Sequence, residues 1–429
     1  MKKSVNLISL GCSKNLVDSE RLLKMLESEG FEARFESQAD ADVVVVNTCG
    51  FIGDAKEESI NTILHWADRK NRREISTLAV MGCLSQRYAD ELRKEIPEVD
   101  FWTGKLNWHE IVGFLTKHSR EATDDRILTT PPHYTYVKIA EGCNRFCAFC
   151  AIPLITGRLT SRPIEAILNE VAALVDKGVR EFNIIAQDLT DYGKDIYGEC
   201  RLPELIDRMS DIEGVKWIRL HYLYPFEFPY EILDVMARKP NVCKYIDIAL
   251  QHISDPVLTN MRRHISADET RKLLDTIRRH VPGIHLRTTL MVGFPGEGEK
   301  EFTELLDFVK EQKFERMGAF AYCEEEGTYA ATHYEDAIPE ETKQRRLDEL
   351  MALQERISLD LQEQKVGSET EVVIDAVEGD YFVCRTEYDS PDVDPVVMVP
   401  LDDSHRVGQF CKVRVVSAEP FELTGTFID

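Results

Sequence analysis

The chain has 429 residues, of which 43% are hydrophobic and 30% charged. That is too long for one ordinary domain, rich enough for real cores, and far from a disordered composition. Its 52 basic and 76 acidic side chains leave a net charge of −24, which excludes a globally basic nucleic-acid binder. Eleven cysteines are too sparse for a disulfide scaffold, so clustered ones point to metal or catalytic chemistry in a reducing compartment.

In chain order, the start resembles a lipoprotein signal, with Lys2 and Lys3 before an apolar stretch that ends in Leu10-Gly11-Cys12. The stretch 5–10 has only six residues, with Asn6 inside it, shorter than the roughly 7–15 apolar residues of a signal core. No run approaches the ~18 apolar residues of a membrane span, so a soluble, cytoplasmic protein is expected. Strands are predicted at 5–10, 42–47 and 77–81, alternating with helices at 16–26, 54–67 and 85–95. This alternation implies a parallel sheet with helices on both faces. The polar stretch 119–125 and the pair Pro131-Pro132 mark a linker.

Alternation resumes with strands near 137–140, 181–186, 217–222, 245–250, 286–292 and 317–322, and helices such as 164–177, 268–280 and 299–313. Six βα units predict a partial parallel barrel, since eight would need more chain. A charged helix at 341–364 closes it. Short strands at 372–374, 381–383, 396–399 and 413–416 then predict a small antiparallel β-barrel. The expected architecture is α/β throughout the first two units, with domains at 1–125, 132–365 and 367–429.

The sharpest motif is Cys143-Asn144-Arg145-Phe146-Cys147-Ala148-Phe149-Cys150, a Cys-x3-Cys-x2-Cys spacing. Three thiolates hold three irons of a cubane cluster and leave the fourth open to a substrate. A bacterial ferredoxin run carries a further Cys-x3-Cys-Pro, whereas Ala151-Ile152-Pro153 follow here. Structural zinc favours four closed ligands, often from Cys-x2-Cys pairs, and the nearest histidine, His133, precedes Cys143 by ten residues. A second constellation is dispersed: Cys12, Cys49 and Cys83 each follow a predicted strand. The C-terminal ends of parallel strands lie along one edge, where ligands bind, so the three can converge. Gly11, Gly50 and Gly82 relax the backbone beside them. The bland alternative is that cysteine favours buried strand ends, and Cys200, Cys243, Cys323, Cys384 and Cys411 are read that way, as small packed hydrophobes.

The spacing around Cys143 resembles the radical SAM superfamily, and both cysteine sets together resemble its methylthiotransferases, over nearly the whole chain. Gly11-Cys12-Ser13-Lys14-Asn15 and 385–391 are similar to the branch that modifies the twelfth protein of the small ribosomal subunit. The segment Gln187-Asp188-Leu189-Thr190-Asp191-Tyr192-Gly193 fits the same branch, although threonine is commoner there at position 189. The resemblance implies a methylthio domain, a radical SAM barrel and a C-terminal TRAM barrel. It implies two 4Fe-4S clusters, on Cys12, Cys49 and Cys83 and on Cys143, Cys147 and Cys150, with S-adenosylmethionine (SAM) on the second. The implied reaction is methylthiolation of an aspartate β-carbon, with a flavodoxin or ferredoxin type of reductant. Phe149 is expected to contact the adenine through its backbone, Gln187 to touch SAM, and Arg287 to pair with the SAM carboxylate. Asp188, the loop 293–297, the aromatic run 221–226 and the patch 261–264 are weaker candidates. Two readings compete: a tRNA adenosine methylthiotransferase and a non-catalytic iron–sulfur electron carrier.

From 367 to 429 there are four basic and fourteen acidic side chains. Phosphate binding needs the opposite sign, so direct RNA binding by this barrel is not expected. A basic protein partner fits better, with Asp389, Asp392 and Asp394 expected on the docking face and binding expected to weaken with salt.

Overall fold

The computed structural model describes residues 2–118 and 125–428. Of the expected linker, residues 119–124 lie outside the described residues. Strands β1 (Ser4–Ser9), β2 (Glu32–Phe35), β3 (Val43–Thr48), β4 (Thr77–Gly82) and β5 (Phe101–Trp102) form a parallel sheet in the order β2-β1-β3-β4-β5. The run Val43-Val44-Val45-Val46 explains why both faces are covered. Side chains alternate across a strand, so Val43 and Val45 pack under α1 (Ser13–Ser28), while Val44 and Val46 pack under α2 (Gly53–Asn71) and α3 (Cys83–Glu95). The strand order reverses between β1 and β3, which is where open α/β sheets bind ligands at their carboxyl ends. Cys12 and Cys49 follow those two strands.

The second unit holds β6 (Tyr134–Lys138), a small hairpin of β7 (Ala140–Glu141) and β8 (Thr160–Ser161), then β9 (Glu181–Ile185), β10 (Trp217–Leu223), β11 (Val242–Gln251), β12 (His285–Val292) and β13 (Arg316–Ala321). Six of these make one parallel sheet, β13-β12-β11-β10-β9-β6, in sequential order. This is the open, partial barrel expected from six βα units. The helix Glu340–Glu363 lays Leu350, Leu353 and Ile357 onto its core.

Strands β14 (Glu369–Glu378), β15 (Tyr381–Thr386), β16 (Val396–Pro400), β17 (Phe410–Glu419) and β18 (Glu422–Phe427) close a barrel in the order β14-β15-β16-β18-β17. It is antiparallel at every joint except β16–β18, which is parallel, a departure from the all-antiparallel expectation. This barrel docks under the larger one, at the N-terminal ends of its strands. Arg385 donates to Glu181 at 2.7 and 2.9 Å and to Asp375 at 2.7 and 3.0 Å. Arg316 Nε donates to Asp389 at 3.0 Å, Tyr245 Oη to Asp394 at 2.8 Å, and Arg219 Nη1 to the Glu387 carbonyl at 2.5 Å.

These contacts correct the reading of the acidic face. Asp389 is buried, and only 2% of the Asp394 side chain is exposed. Both belong to the domain interface, and of the three named aspartates only Asp392 is exposed. A charge count does not reveal which carboxylates already have internal partners. Among the described residues, no helix is long and apolar enough to cross a membrane.

Candidate functional site

Three loops meet at the carboxyl edge of the first sheet. Gly11 holds φ at +91°, and a β-carbon there would stand 2.8 Å from Cys49 Cβ. One on Gly82, at φ +104°, would meet the Thr48 carbonyl at 2.4 Å. Both conformations favour glycine, and the close approach forbids any side chain. Asn15 ties the loops together: its Nδ2 donates to the carbonyls of Leu10 at 2.9 Å and Thr48 at 3.1 Å. Its Oδ1 accepts from Lys105 Nζ at 2.9 Å and from Cys83 Sγ at 3.8 Å.

The second trio sits beyond β7, on a loop fixed by Arg145. Its guanidinium donates to Asp188 at 2.7 Å, Thr190 Oγ1 at 2.9 Å and Asp191 at 2.7 Å, clamping the loop to the exit of β9. Arg263 Nη1 donates to Cys147 Sγ at 3.2 Å, and Tyr224 Oη stands 3.5 Å from the same sulfur. Arg263 also lies 4.0 Å above the Tyr224 ring and donates to the Ala249 carbonyl. Phe146, Tyr222, Glu227, Gln251, Arg262 and His264, at strand ends and loops, hold φ between +49° and +70°. Such conformations are sparsely populated outside glycine and persist where the surrounding structure over-determines them.

The two trios face each other. Cys83 packs with Ala151 and Ile155, immediately beyond Cys150. A polar relay crosses the same seam: Lys105 donates to Asp18 at 2.8 Å, Lys138 bridges Asp18 and Glu141, and Gln187 Nε2 donates to Glu141. Glu141 lies two residues before Cys143, so Lys138 links α1 to the loop that carries the second trio.

Five of the six thiols are shifted from the free value, four of them upward. Burial pushes Cys83 and Cys150 up to about 12 and raises Cys49 and Cys143 as well, helped by neighbouring cysteines. Cys12 goes the other way. Its crowded surroundings oppose ionisation, but Lys14, Lys105 and backbone N–H groups outweigh them. A bound metal deprotonates a coordinating thiol outright. Among the described residues, no three His, Cys, Asp or Glu side chains converge on a single ion. Buried Gln187 Oε1 and Gln251 Oε1 have no partner, which leaves acceptors at the barrel mouth for a bound molecule.

Phe149 sits beside the second trio, edge-on to Phe294 with ring centroids 6.3 Å apart. Gln187 lies at the mouth as well, whereas Asp188 is occupied by Arg145. Arg287 does not fit its expected role. It pairs with Asp247 at 3.2 Å and Asp394 at 3.4 Å, near the start of β12 and toward the C-terminal barrel, so two carboxylates of the protein already take its charge. Cys323 is exposed rather than packed, unlike buried Cys243, Cys384 and Cys411. The reading of the sequence missed Arg263 as a sulfur donor, because its partner is 116 residues away. It also missed Lys105, which stands in no motif.

Comparison with known proteins follows this layout. Residues 4–104 match the uncharacterized protein family UPF0004, 137–309 the radical SAM superfamily and 366–428 the TRAM domain. The chain is 55% identical to the ribosomal protein uS12 methylthiotransferase RimO of Phocaeicola vulgatus, over all of both chains. It is also 55% identical to the protein of that name from Bacteroides fragilis, again over all of both chains. With the one from Cytophaga hutchinsonii it shares 49% identity, over 100% of this chain and 98% of the relative. Among solved structures, the radical S-adenosylmethionine methyltransferase TsrM of Kitasatospora setae superposes with a TM-score of 0.57. It is 14% identical and covers 88% of this chain and 79% of its own, a likeness of fold alone.

Proposed function

The chain belongs to the RimO methylthiotransferases of the radical SAM superfamily, and from that membership we propose that it adds a methylthio group to the β-carbon of an aspartate in ribosomal protein uS12. The observation that carries this reading is the packing of Cys83 against Ala151 and Ile155, which sets the two cysteine trios on opposite sides of one seam. An unactivated C–H bond is beyond ordinary acid–base chemistry. A 4Fe-4S cluster with SAM at Cys143, Cys147 and Cys150 would supply radical chemistry for it, and a second cluster, held by Cys12, Cys49 and Cys83, would carry the sulfur that is transferred.

The chain's own residues do the rest. Arg145 fixes the loop that carries the radical trio. Gln187 and the backbone beside Phe149 line the place for SAM. Arg263 donates to Cys147 and Tyr224 Oη stands beside the same sulfur, and hydrogen bonds to cluster sulfurs are among the features that set reduction potential. Replacing Arg263 by methionine is expected to lower the potential of that cluster by some tens of millivolts, read by an electron-paramagnetic-resonance redox titration. Tyr224→Phe is expected to shift it less, in the same direction.

The reductant is of flavodoxin or ferredoxin type. The C-terminal barrel does not bind RNA directly: Arg385 is consumed internally and Arg414 pairs with Glu369. Exposed acids such as Glu378, Asp380, Asp392 and Asp403 leave a surface better matched to a basic protein. The decisive experiment is anaerobic incubation with SAM and reductant, followed by mass spectrometry of uS12 and of tRNA. A gain of about 46 Da on one uS12 aspartate, the mass of CH₂S, is expected for this chemistry. Modified tRNA with unmodified uS12 overturns the reading.

A further inference from the structure

Ammonium groups outnumber carboxylates in the seam between the trios. Three ammonium groups are buried there, on Lys14, Lys105 and Lys138, against the two carboxylates of Asp18 and Glu141. Lys105 takes Asp18, and Lys138 takes Asp18 and Glu141. Lys14 has no carboxylate partner among the described residues, although it is only 8% exposed. Its Nζ instead stands 3.5 Å over the Tyr222 ring. Tyr222 keeps φ at +62° at the exit of β10, a strained conformation for a bulky residue. Charged side chains are seldom this buried unless paired, and an aromatic face replaces only part of the lost hydration.

The placement of this ammonium is specific. Lys14 follows Cys12 by two residues and lies in the first turn of α1, whose N-cap Cys12 makes no side-chain cap. The helix N-terminus adds positive potential on the same side. Gly11 and Cys12, just before it in the chain, are exposed. A buried ammonium with no carboxylate partner, set between the Cys12 loop and the barrel mouth, can take an anion that arrives with a ligand.

We propose that Lys14 Nζ binds the side-chain carboxylate of the acidic residue to be methylthiolated. This rests on the function proposed above and deepens it. In aspartate the β-carbon is bonded directly to that carboxylate, so one ion pair at Lys14 holds the reacting carbon one bond from an anchored group. The same contact rejects asparagine, which brings no charge to the cation. SAM also carries a carboxylate, and the test separates the two sources.

The test uses the full-length protein with reconstituted clusters and no reductant. Binding of uS12 and of uS12 with its target aspartate changed to asparagine is measured by fluorescence anisotropy, and SAM binding by equilibrium dialysis. The wild-type chain is expected to prefer the aspartate form by about tenfold or more, as for a charge-assisted hydrogen bond. Lys14→Met is expected to bind both forms alike with SAM affinity unchanged, and Lys14→Arg to keep most of the preference. Equal or absent binding of the two forms by the wild-type chain overturns the proposal without relying on any variant's folding. A preference preserved in Lys14→Met overturns it too, and if SAM affinity then falls instead, the carboxylate held is the cofactor's. A chain that modifies tRNA and not uS12 fails the underlying reading. One that modifies uS12 without discriminating by charge fails only the role given to Lys14.

Discussion

Changing Cys49 to alanine is expected to leave cleavage of SAM intact and to abolish methylthio transfer, whereas changing Cys147 to alanine abolishes both. The two trios hang on separate scaffolds. Cys49 follows β3, and its loop is closed by glycines against Cys12 and the backbone of α3. Cys147 belongs to a loop held by Arg145, Arg263 and a backbone bond from the Ala148 N–H to the Met261 carbonyl at 3.0 Å. Neither loop supplies the other's hydrogen bonds, so losing one ligand leaves the opposite trio in place. Iron and sulfide are each expected to fall by roughly half in either variant, since thiolates are what hold such clusters. Chromatography of 5′-deoxyadenosine and mass spectrometry of uS12 check the two activities separately. Loss of SAM cleavage in Cys49→Ala would show instead that the two sets act as one unit.

How much of this was legible depends on whether a contact is local. The Cys143 motif is contiguous, and its chemistry can be read from spacing. Cys12, Cys49 and Cys83 are far apart, yet their convergence follows from one rule about parallel strands, because each follows a strand whose apolar run is plain. Long-range side-chain pairing has no such rule. Arg263 reads as part of a small basic patch and proves to be buried against Cys147. Arg287 reads as a cofactor ligand and proves to be an anchor for Asp247 and Asp394. Short or half-exposed strands also escape notice: β2 is the four-residue edge sequence Glu-Ala-Arg-Phe, too short for its alternation to stand out, β5 has two residues, and β18 places Thr and Gly among its six.

The acidic C-terminal barrel shows what that blindness costs, and it yields the second large effect. Reversing Asp389 to lysine is expected to destabilise the docked barrel by about 3–5 kcal/mol, the usual cost of breaking a buried ion pair from one side. Reversing exposed Asp403 is expected to change stability by no more than about 0.5 kcal/mol. Asp389 accepts from Arg316, while its own carbonyl accepts from Arg385 Nη1 at 3.1 Å. A lysine there faces two buried guanidinium groups. The pH dependence gives an independent check. Burial alone would raise the Asp389 carboxyl, but Arg316 and Lys365 pull it down to about 2. A carboxylate depressed from about 3.9 to about 2 contributes roughly 2.5 kcal/mol that is present above the unfolded pKa and lost as pH falls through the folded one. The stability gap between wild type and Asp389→Asn, measured by urea unfolding, is therefore expected to be full at pH 5 and above and to close between about pH 4 and pH 2. A gap that persists at pH 2 would mean that the aspartate acts through its shape and neutral hydrogen bonds rather than its charge.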